Sequence, residues 1–249
     1  MKKKDIFSII MPAYNAQKTI DKSINSIINQ TYPNFLLYII DDNSSDKTYD
    51  IIRKYNDNRI IYIKNNINLG VAESRNKALS LCKSKYITFL DSDDYWHSQK
   101  LEKQVNLLEN GWDVVCSNYN TFDSDDDKII SYRRSPQIIT YEMMLKSNFI
   151  GNLTGAYNAE KLGKQFQKKI GHEDYLMWLK ILNKTKSAYC IQEPLGYYRI
   201  SKNSISSNKF KAILWQWLIY RKELHLSLFS SIYNFSFYII TALYKRKSV

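Results

Sequence analysis

Short apolar runs that each end in a polar cluster recur through the first part of the chain. Asp5–Met11, Phe35–Ile40, Ile60–Lys64 and Tyr86–Leu90 read as buried strands. Between them the apolar residues change to helical spacing. Ala16–Gln30 carries Ile20, Ile24, Ile27 and Ile28, a second helix capped by Asp46 or Ser45 reaches about Tyr55, and a third runs from about Ala72 to Leu81. Strands alternating with helices predict an α/β fold with a mostly parallel central sheet, whose polar loops collect at one edge. Further on, Ser98–Asn110 is a helix with Leu101, Val105 and Leu108 on one face, Asp113–Asn120 a strand and Thr140–Ser147 a short helix. After the irregular stretch Asn148–Gln167, Gly171-His172-Glu173-Asp174 opens a helix to about Asn183.

The fourth strand runs straight into Asp91-Ser92-Asp93-Asp94. Such a density of like charge costs free energy unless a cation or a metal-bound polyphosphate offsets it. Oxygen ligands suit Mg²⁺ or Mn²⁺, and ligands of open α/β sheets sit just beyond the strand carboxyl ends. The competing reading is an acidic solvated turn. A second cluster, Asp123, Asp125, Asp126 and Asp127, lies between the strand-like runs Val114–Thr121 and Lys128–Tyr132 and reads as a solvated hairpin turn. Asp91 and Asp93 are therefore the expected site. The first loop, Pro12-Ala13-Tyr14-Asn15, offers the flat ring of Tyr14 on the same edge.

Composition narrows the class. With 249 residues, 44% of them hydrophobic, and only seven Gly and four Pro, the chain is a folded body with a full core and little linker. The three cysteines are far apart without metal-ligand spacing, as expected of buried thiols in a reducing compartment. The apolar run Ile6–Met11 is too short for a signal peptide, which predicts a cytoplasmic protein. Of the net charge of +12, much lies from Arg199 onward, where Glu223 is the lone acidic residue. An anionic partner is expected there, a membrane surface or nucleic acid on charge alone.

Taken together, Ser8–Asn15, Asp41–Asp46, Asn68-Leu69-Gly70 with Arg75-Asn76, Asp91–Asp94, Glu173-Asp174-Tyr175-x-x-Trp178, and Tyr198-Arg199 ahead of Ser204-Ile205-Ser206 resemble the family 2 inverting glycosyltransferases of GT-A fold, of the bacterial surface-polysaccharide type. The resemblance covers roughly residues 6–209. It implies that Pro12, Ala13, Tyr14, Asp41, Arg75, Asp91 and Ser92 bind the nucleotide-sugar, with Tyr14 packing on the base and Asp41 accepting from the imide N–H of a uracil. It implies that Asp93 binds the divalent metal, Asp174 is the catalytic base, and Glu173 and Trp178 stand on the acceptor side or support it. Family members commonly place a His just after the Tyr-Arg-hydrophobic run. Ser201 stands there in this chain, which puts a third protein metal ligand in question.

The implied organisation is a nucleotide-sugar half over 1–120, an acceptor half over 121–208 and a basic, aromatic helical extension over 209–249. In that extension Lys209–Glu223 reads as an amphipathic helix packing through Ile213, Leu214, Trp217 and Leu218. The stretch 224–244 lacks formal charge and carries Phe229, Tyr233, Phe235, Phe237, Tyr238 and Tyr244, as expected of a helix in the headgroup zone of an anionic membrane. The expected activity is transfer from a UDP-sugar to a lipid-linked saccharide at the inner face of the cytoplasmic membrane. The competing functions are a nucleotidyltransferase, for which no Gly-rich triphosphate loop is present, and a basic nucleic-acid binder, for which no binding motif is visible.

Overall fold

A computed structural model describes residues 6–124, 126–200 and 209–247, so Asp125, Ser201 and the Ser204-Ile205-Ser206 motif lie outside the described residues. The first four strands are β1 (Phe7–Ala13), β2 (Phe35–Asp41), β3 (Ile60–Lys64) and β4 (Tyr86–Phe89). They are separated by helices α1 (Ile20–Ile28), α2 (Thr48–Ile52) and α3 (Val71–Leu81). All four strands run parallel, in the order β3-β2-β1-β4. Every residue of β1 is buried, as a strand covered on both faces requires. Helices α1 and α2 start later and end sooner than the periodicity suggests, whereas α3 matches it to within one residue.

Beyond β4 the chain forms β5 (Tyr95–Trp96), α4 (Lys100–Glu109), β6 (Val114–Asp123), β7 (Ile129–Arg133), β8 (Ile138–Thr140) and α5 (Tyr141–Lys146). Then come β9 (Ala156–Asn158), α6 (Ala159–Leu162), α7 (Glu173–Thr185) and β10 (Ser187–Ile200). Antiparallel β9 joins β4 to β6, and β10 lies parallel to β6 and antiparallel to β5, so one mixed sheet carries both halves of the molecule. The carboxyl ends of β1, β2 and β4 thereby face the end of β10 that carries Arg199.

The C-terminal end departs from expectation. Helix α8 (Lys209–Leu218) passes into a π-helical turn, Ile219–Glu223, in which Leu224 N–H donates to the Ile219 carbonyl at 2.9 Å. The wider turn rotates the packing face. Gln216, Ile219 and Tyr220 are buried, whereas Ile213 and Leu214, expected to pack, are exposed. Helix α9 (Leu228–Lys247) follows, and none of the described helices is long and apolar enough to cross a membrane.

Candidate active site

Two loops leave neighbouring strands β1 and β2, and polar side chains brace them together. Asn15 adopts the left-handed conformation (φ 48°), which its short amide tolerates. Its N–H donates to Ser44 Oγ at 3.0 Å, and its side-chain oxygen accepts from Ser45 N–H at 2.9 Å. Ala16 N–H donates to Thr48 Oγ1 at 2.8 Å and Gln17 N–H to Asp46 Oδ2 at 3.0 Å. Asp46 stands one residue before the cap position of the following helix and still satisfies its first N–H. Lys47 holds the cap position, while Asp46 accepts from Thr48 N–H and bridges to the first loop.

The adjacent aspartates divide in the same way. Asp41 is still in β2, fully buried, with Oδ1 accepting from Ser44 N–H (2.8 Å) and Oδ2 from the Tyr62 hydroxyl (2.7 Å). It does not line the cleft, contrary to expectation, because β2 extends one residue further than the sequence pattern implies. Asp42, the first loop residue, does line it. Its carboxylate accepts from Asn65 Nδ2 (2.7 Å), Leu69 N–H (2.9 Å) and Gly70 N–H (2.7 Å), and these bonds outweigh burial and lower its pKa. Gly70 sits at φ +90° at the start of α3, a conformation that a side chain would strain.

These loops and the acidic loop after β4 enclose a cleft of about 720 Å³. Pro12, Ala13 and Tyr14 form one wall, Asp91, Ser92 and Asp93 the other, and Asp42, Ser74 and Arg199 complete it. The Tyr14 ring is 54% exposed, free to receive a flat ligand. Arg75 is not on the wall. It is buried behind Asp91, donating to Asp91 Oδ1 (2.5 Å) and to Gln167 Oε1 (3.1 Å), so it reaches the cleft only through that carboxylate. Asp94 is buried as well, and Oδ1 accepts from Arg199 N–H at 2.8 Å.

Asp93 faces the cleft without a hydrogen bond or ion pair from another described side chain; Arg199 Nε donates to its backbone carbonyl instead (2.9 Å). Asp93 is exposed at the cleft, yet crowding by the surrounding protein, with the Asp91 charge adding, pushes its carboxyl up to about 6. An unpaired carboxylate beside a second one fits a divalent cation that takes its remaining ligands from phosphate and water. Among the described residues no cluster of three or more His, Cys, Asp or Glu could hold a metal by protein ligands alone. Asp126 and Asp127 lie at a solvent-exposed turn between β6 and β7, as expected, but the turn is braced. Asp127 pairs with Lys22 of α1 at 2.9 Å, and the Ser124 carbonyl accepts from Arg199 Nη1 at 3.2 Å, tying the β6–β7 tip to the cleft rim.

Glu173 and Asp174 open α7, within electrostatic reach of Arg75. Burial raises the Asp174 carboxyl above its ordinary value, while Arg75 and then His172 pull it back. Trp178 lies in the core, edge-on to Phe89 and Tyr157, and supports the helix rather than touching the cleft. The turn before α7 is held by the C-terminal extension. Gly171 stands at φ +76°, and a Cβ there would lie 2.2 Å from the Trp215 ring, which also packs edge-on to His172. Gly171→Ala is therefore expected to displace Trp215 and the start of α7, where Asp174, the base expected from the sequence, stands, and to lower turnover by about tenfold or more. Unchanged kcat in the folded variant would refute this coupling. Asp42, Arg199 and Trp215 were not among the expected site residues; only the position of Arg199 in the Tyr-Arg pair signalled it.

The family described as Glycosyl transferase family 2 matches residues 8–166. The chain is 36% identical over 247 residues to TuaG of Bacillus subtilis, a glycosyltransferase named for teichuronic acid biosynthesis, covering 98% of each. It is 40% identical over 214 residues to WfgD of Escherichia coli, named a UDP-Glc:α-D-GlcNAc-diphosphoundecaprenol β-1,3-glucosyltransferase, covering 85% of this chain and 84% of that one. In fold it is similar to S. aureus TarS 1-349, with TM-score 0.72 and 20% identity over 94% of this chain and 70% of that one. A mannosyltransferase of Pyrobaculum calidifontis, solved with GDP-Man and Mn²⁺, superposes with TM-score 0.66 at 16% identity, over 91% of this chain and 66% of that one. With strands, cleft and carboxylates in the order the motifs implied, the chain belongs to the family 2 glycosyltransferases of GT-A fold.

Proposed function

We propose that this glycosyltransferase transfers a sugar, with inversion, from a UDP-sugar to a hydroxyl of a polyprenyl-diphosphate-linked saccharide used to build a bacterial surface polysaccharide. The observation that carries it is the cleft at the strand carboxyl ends, with the open Tyr14 ring on one wall and the unpaired Asp93 on the other. Tyr14 packs on the base and Pro12, Ala13 and Ser92 close around the ribose. The base-reading role passes from Asp41 to Asp42, whose Oδ2 accepts from Gly70 N–H and retains a lone pair for an imide N–H. Asp91, fixed by Arg75, orients the donor. Relatives named for UDP-glucose transfer to a lipid-linked GlcNAc support the choice of donor and acceptor.

The reaction is one displacement. Asp174 takes the acceptor proton as the acceptor oxygen bonds to the anomeric carbon, and the bond from that carbon to the diphosphate oxygen breaks on the opposite face. A divalent ion, Mg²⁺ or Mn²⁺, held by Asp93 and the donor phosphates, would supply the positive charge that offsets the leaving diphosphate. The test is calorimetric titration of UDP with Mn²⁺, Mg²⁺ or EDTA, beside GDP and ADP. Metal-dependent preference for UDP is expected; absence of nucleotide binding would overturn the reading.

The lipid-linked acceptor requires the enzyme to work at a membrane surface, and α9 supplies a face for it. Ser231 and Asn234 turn inward, whereas Phe229, Ile232, Tyr233, Phe237 and Ile240 are exposed, Phe229 by 87%. Lys146 lies over the rings of Tyr233 and Phe237, and Arg221 and Lys222 are exposed nearby. An apolar face rimmed by cations matches an anionic lipid surface, with the protein peripheral to the cytoplasmic leaflet. Replacing Phe229, Ile232 and Tyr233 together by Ser is expected to cut binding to phosphatidylglycerol vesicles by about tenfold or more, given the apolar area each would have buried. Undiminished cosedimentation would contradict the anchor.

A further inference from the structure

Consecutive residues of a strand face opposite ways, and the end of β10 uses that alternation to separate two sides of the site. Arg199 turns into the donor cleft. Tyr198 turns to the other side, where its ring stands 6.4 Å from that of Tyr119, with the planes at 70°. Tyr119 of β6 is in register with Gly196, two residues before Tyr198, and directly opposite Arg133 of β7. Tyr119, Tyr198 and Arg133 consequently share one sheet face. Within the described residues, neither phenol nor the Arg133 guanidinium makes a hydrogen bond or ion pair. A Cβ at Gly151 would lie 3.1 Å from the Tyr119 ring, and the next residue, Asn152, keeps both amide atoms buried and unpartnered.

This group borders the reacting carboxylates. Burial first, then the charges of Asp94 and Asp174, hold the Tyr119 phenol up against the opposing pull of Arg133, and burial with Asp94, Asp91 and Asp93 does the same for Tyr198. An anion approaching carboxylates needs a cation of its own, and Arg133 is an uncommitted one on that face. Its planar fork matches phosphate oxygens. Aromatic rings meet the apolar C–H face of a pyranose, while phenol and amide groups hydrogen-bond its hydroxyls.

We propose that Tyr119, Tyr198 and Arg133 form the acceptor subsite, taking a sugar bound directly to a diphosphate, with the tyrosines against the sugar and Arg133 on the diphosphate. This rests on the reading of the acceptor as a lipid-linked saccharide. The test titrates α-D-GlcNAc-diphosphate bearing a short alkyl chain into the full-length protein held in saturating UDP and Mn²⁺, beside the same alkyl glycoside without diphosphate. The wild type is expected to bind the diphosphate probe at least about tenfold tighter, as a charge-assisted bidentate contact allows. Arg133→Gln should erase that preference, Tyr198→Ala should weaken both probes, and the UDP affinity of either variant should stay within about twofold, since neither residue lines the donor cleft. Equal binding of the two probes by the wild type, a preference that survives Arg133→Gln, or a probe that binds only when UDP is left out would overturn the proposal. Separate titration of UDP alone reports on the donor reading: a protein that discriminates the probes yet binds no UDP would sink that reading and leave this one standing.

Discussion

Asp174→Asn is expected to lower kcat by about 10²- to 10⁴-fold while UDP affinity with Mn²⁺ remains near wild type, the range for loss of a positioned general base. An inverting displacement uses no enzyme nucleophile, so abstraction of the acceptor proton falls to one carboxylate, and Asn keeps its shape without its basicity. Glu173 is the neighbour that a skeptic would substitute for it. Its Oε1 accepts from Gly171 N–H at 3.3 Å, a bond that shapes the turn before α7, so Glu173→Gln should cost far less. The pH dependence separates the two. Burial raises the Asp174 pKa, so its ionised, active form is lost on acidification at a higher pH than for an ordinary aspartate. The acid limb of kcat should therefore lie above the usual aspartate value in the wild type and vanish in Asp174→Asn. A loss below about tenfold, or an unchanged acid limb, would rule out the base.

The parallel strands and the cleft beyond their ends were legible because these strands are largely apolar and each breaks at a polar cluster, a signal that survives without knowledge of the partners; the order of the strands was not. Nor was it legible which of two adjacent aspartates faces the ligand. A strand that runs one residue longer reverses the facing of its last side chain, and nothing in Asp41-Asp42 marks where β2 ends. The loop brace was invisible for a different reason. Ser44, Ser45 and Asp46 look like helix caps locally, and their partners, Asn15 to Gln17, lie a helix and a strand away. Likewise the π turn after Leu218 breaks the 3.6-residue period on which the packing face of α8 was read. Resemblance supplied the roles of Asp93 and Asp174; residue chemistry alone supplied an acidic strand end and two acids at a helix start.

The C-terminal extension changes how the parts relate. Trp215 packs on the turn before the proposed base, Gln216 Nε2 donates to the Tyr175 hydroxyl at 3.2 Å, and Lys168 pairs with Glu223 at 2.6 Å. The segment that carries the exposed apolar face of α9 is thus fastened to the helix that carries Asp174. A membrane contact through α9 would therefore act on the same packing that positions the start of α7.

Asp93→Asn is expected to remove the metal-dependent part of UDP binding, lowering affinity in Mn²⁺ by about 100-fold or more, since even residues that only orient metal ligands cost 10- to 100-fold. In EDTA the two proteins should bind UDP alike, which distinguishes loss of a ligand from damage to the cleft. Protons and cation compete for this carboxylate. With its pKa near 6 in the metal-free protein, the affinity for Mn²⁺ should fall as pH drops through about 6 and level off above it, a dependence absent from the variant. The stability sign is opposite to that of an ordinary paired carboxylate. Because folding raises the Asp93 pKa, the ionised group opposes folding at neutral pH, and that cost, small because the residue is exposed to screening solvent, is relieved on acidification. Asp93→Asn should therefore match or exceed the wild-type Tm near pH 7.5 without metal, yet gain less from Mn²⁺ and UDP. A variant that loses both Tm and metal-independent UDP binding would show that Asp93 holds the loop together instead of holding a cation.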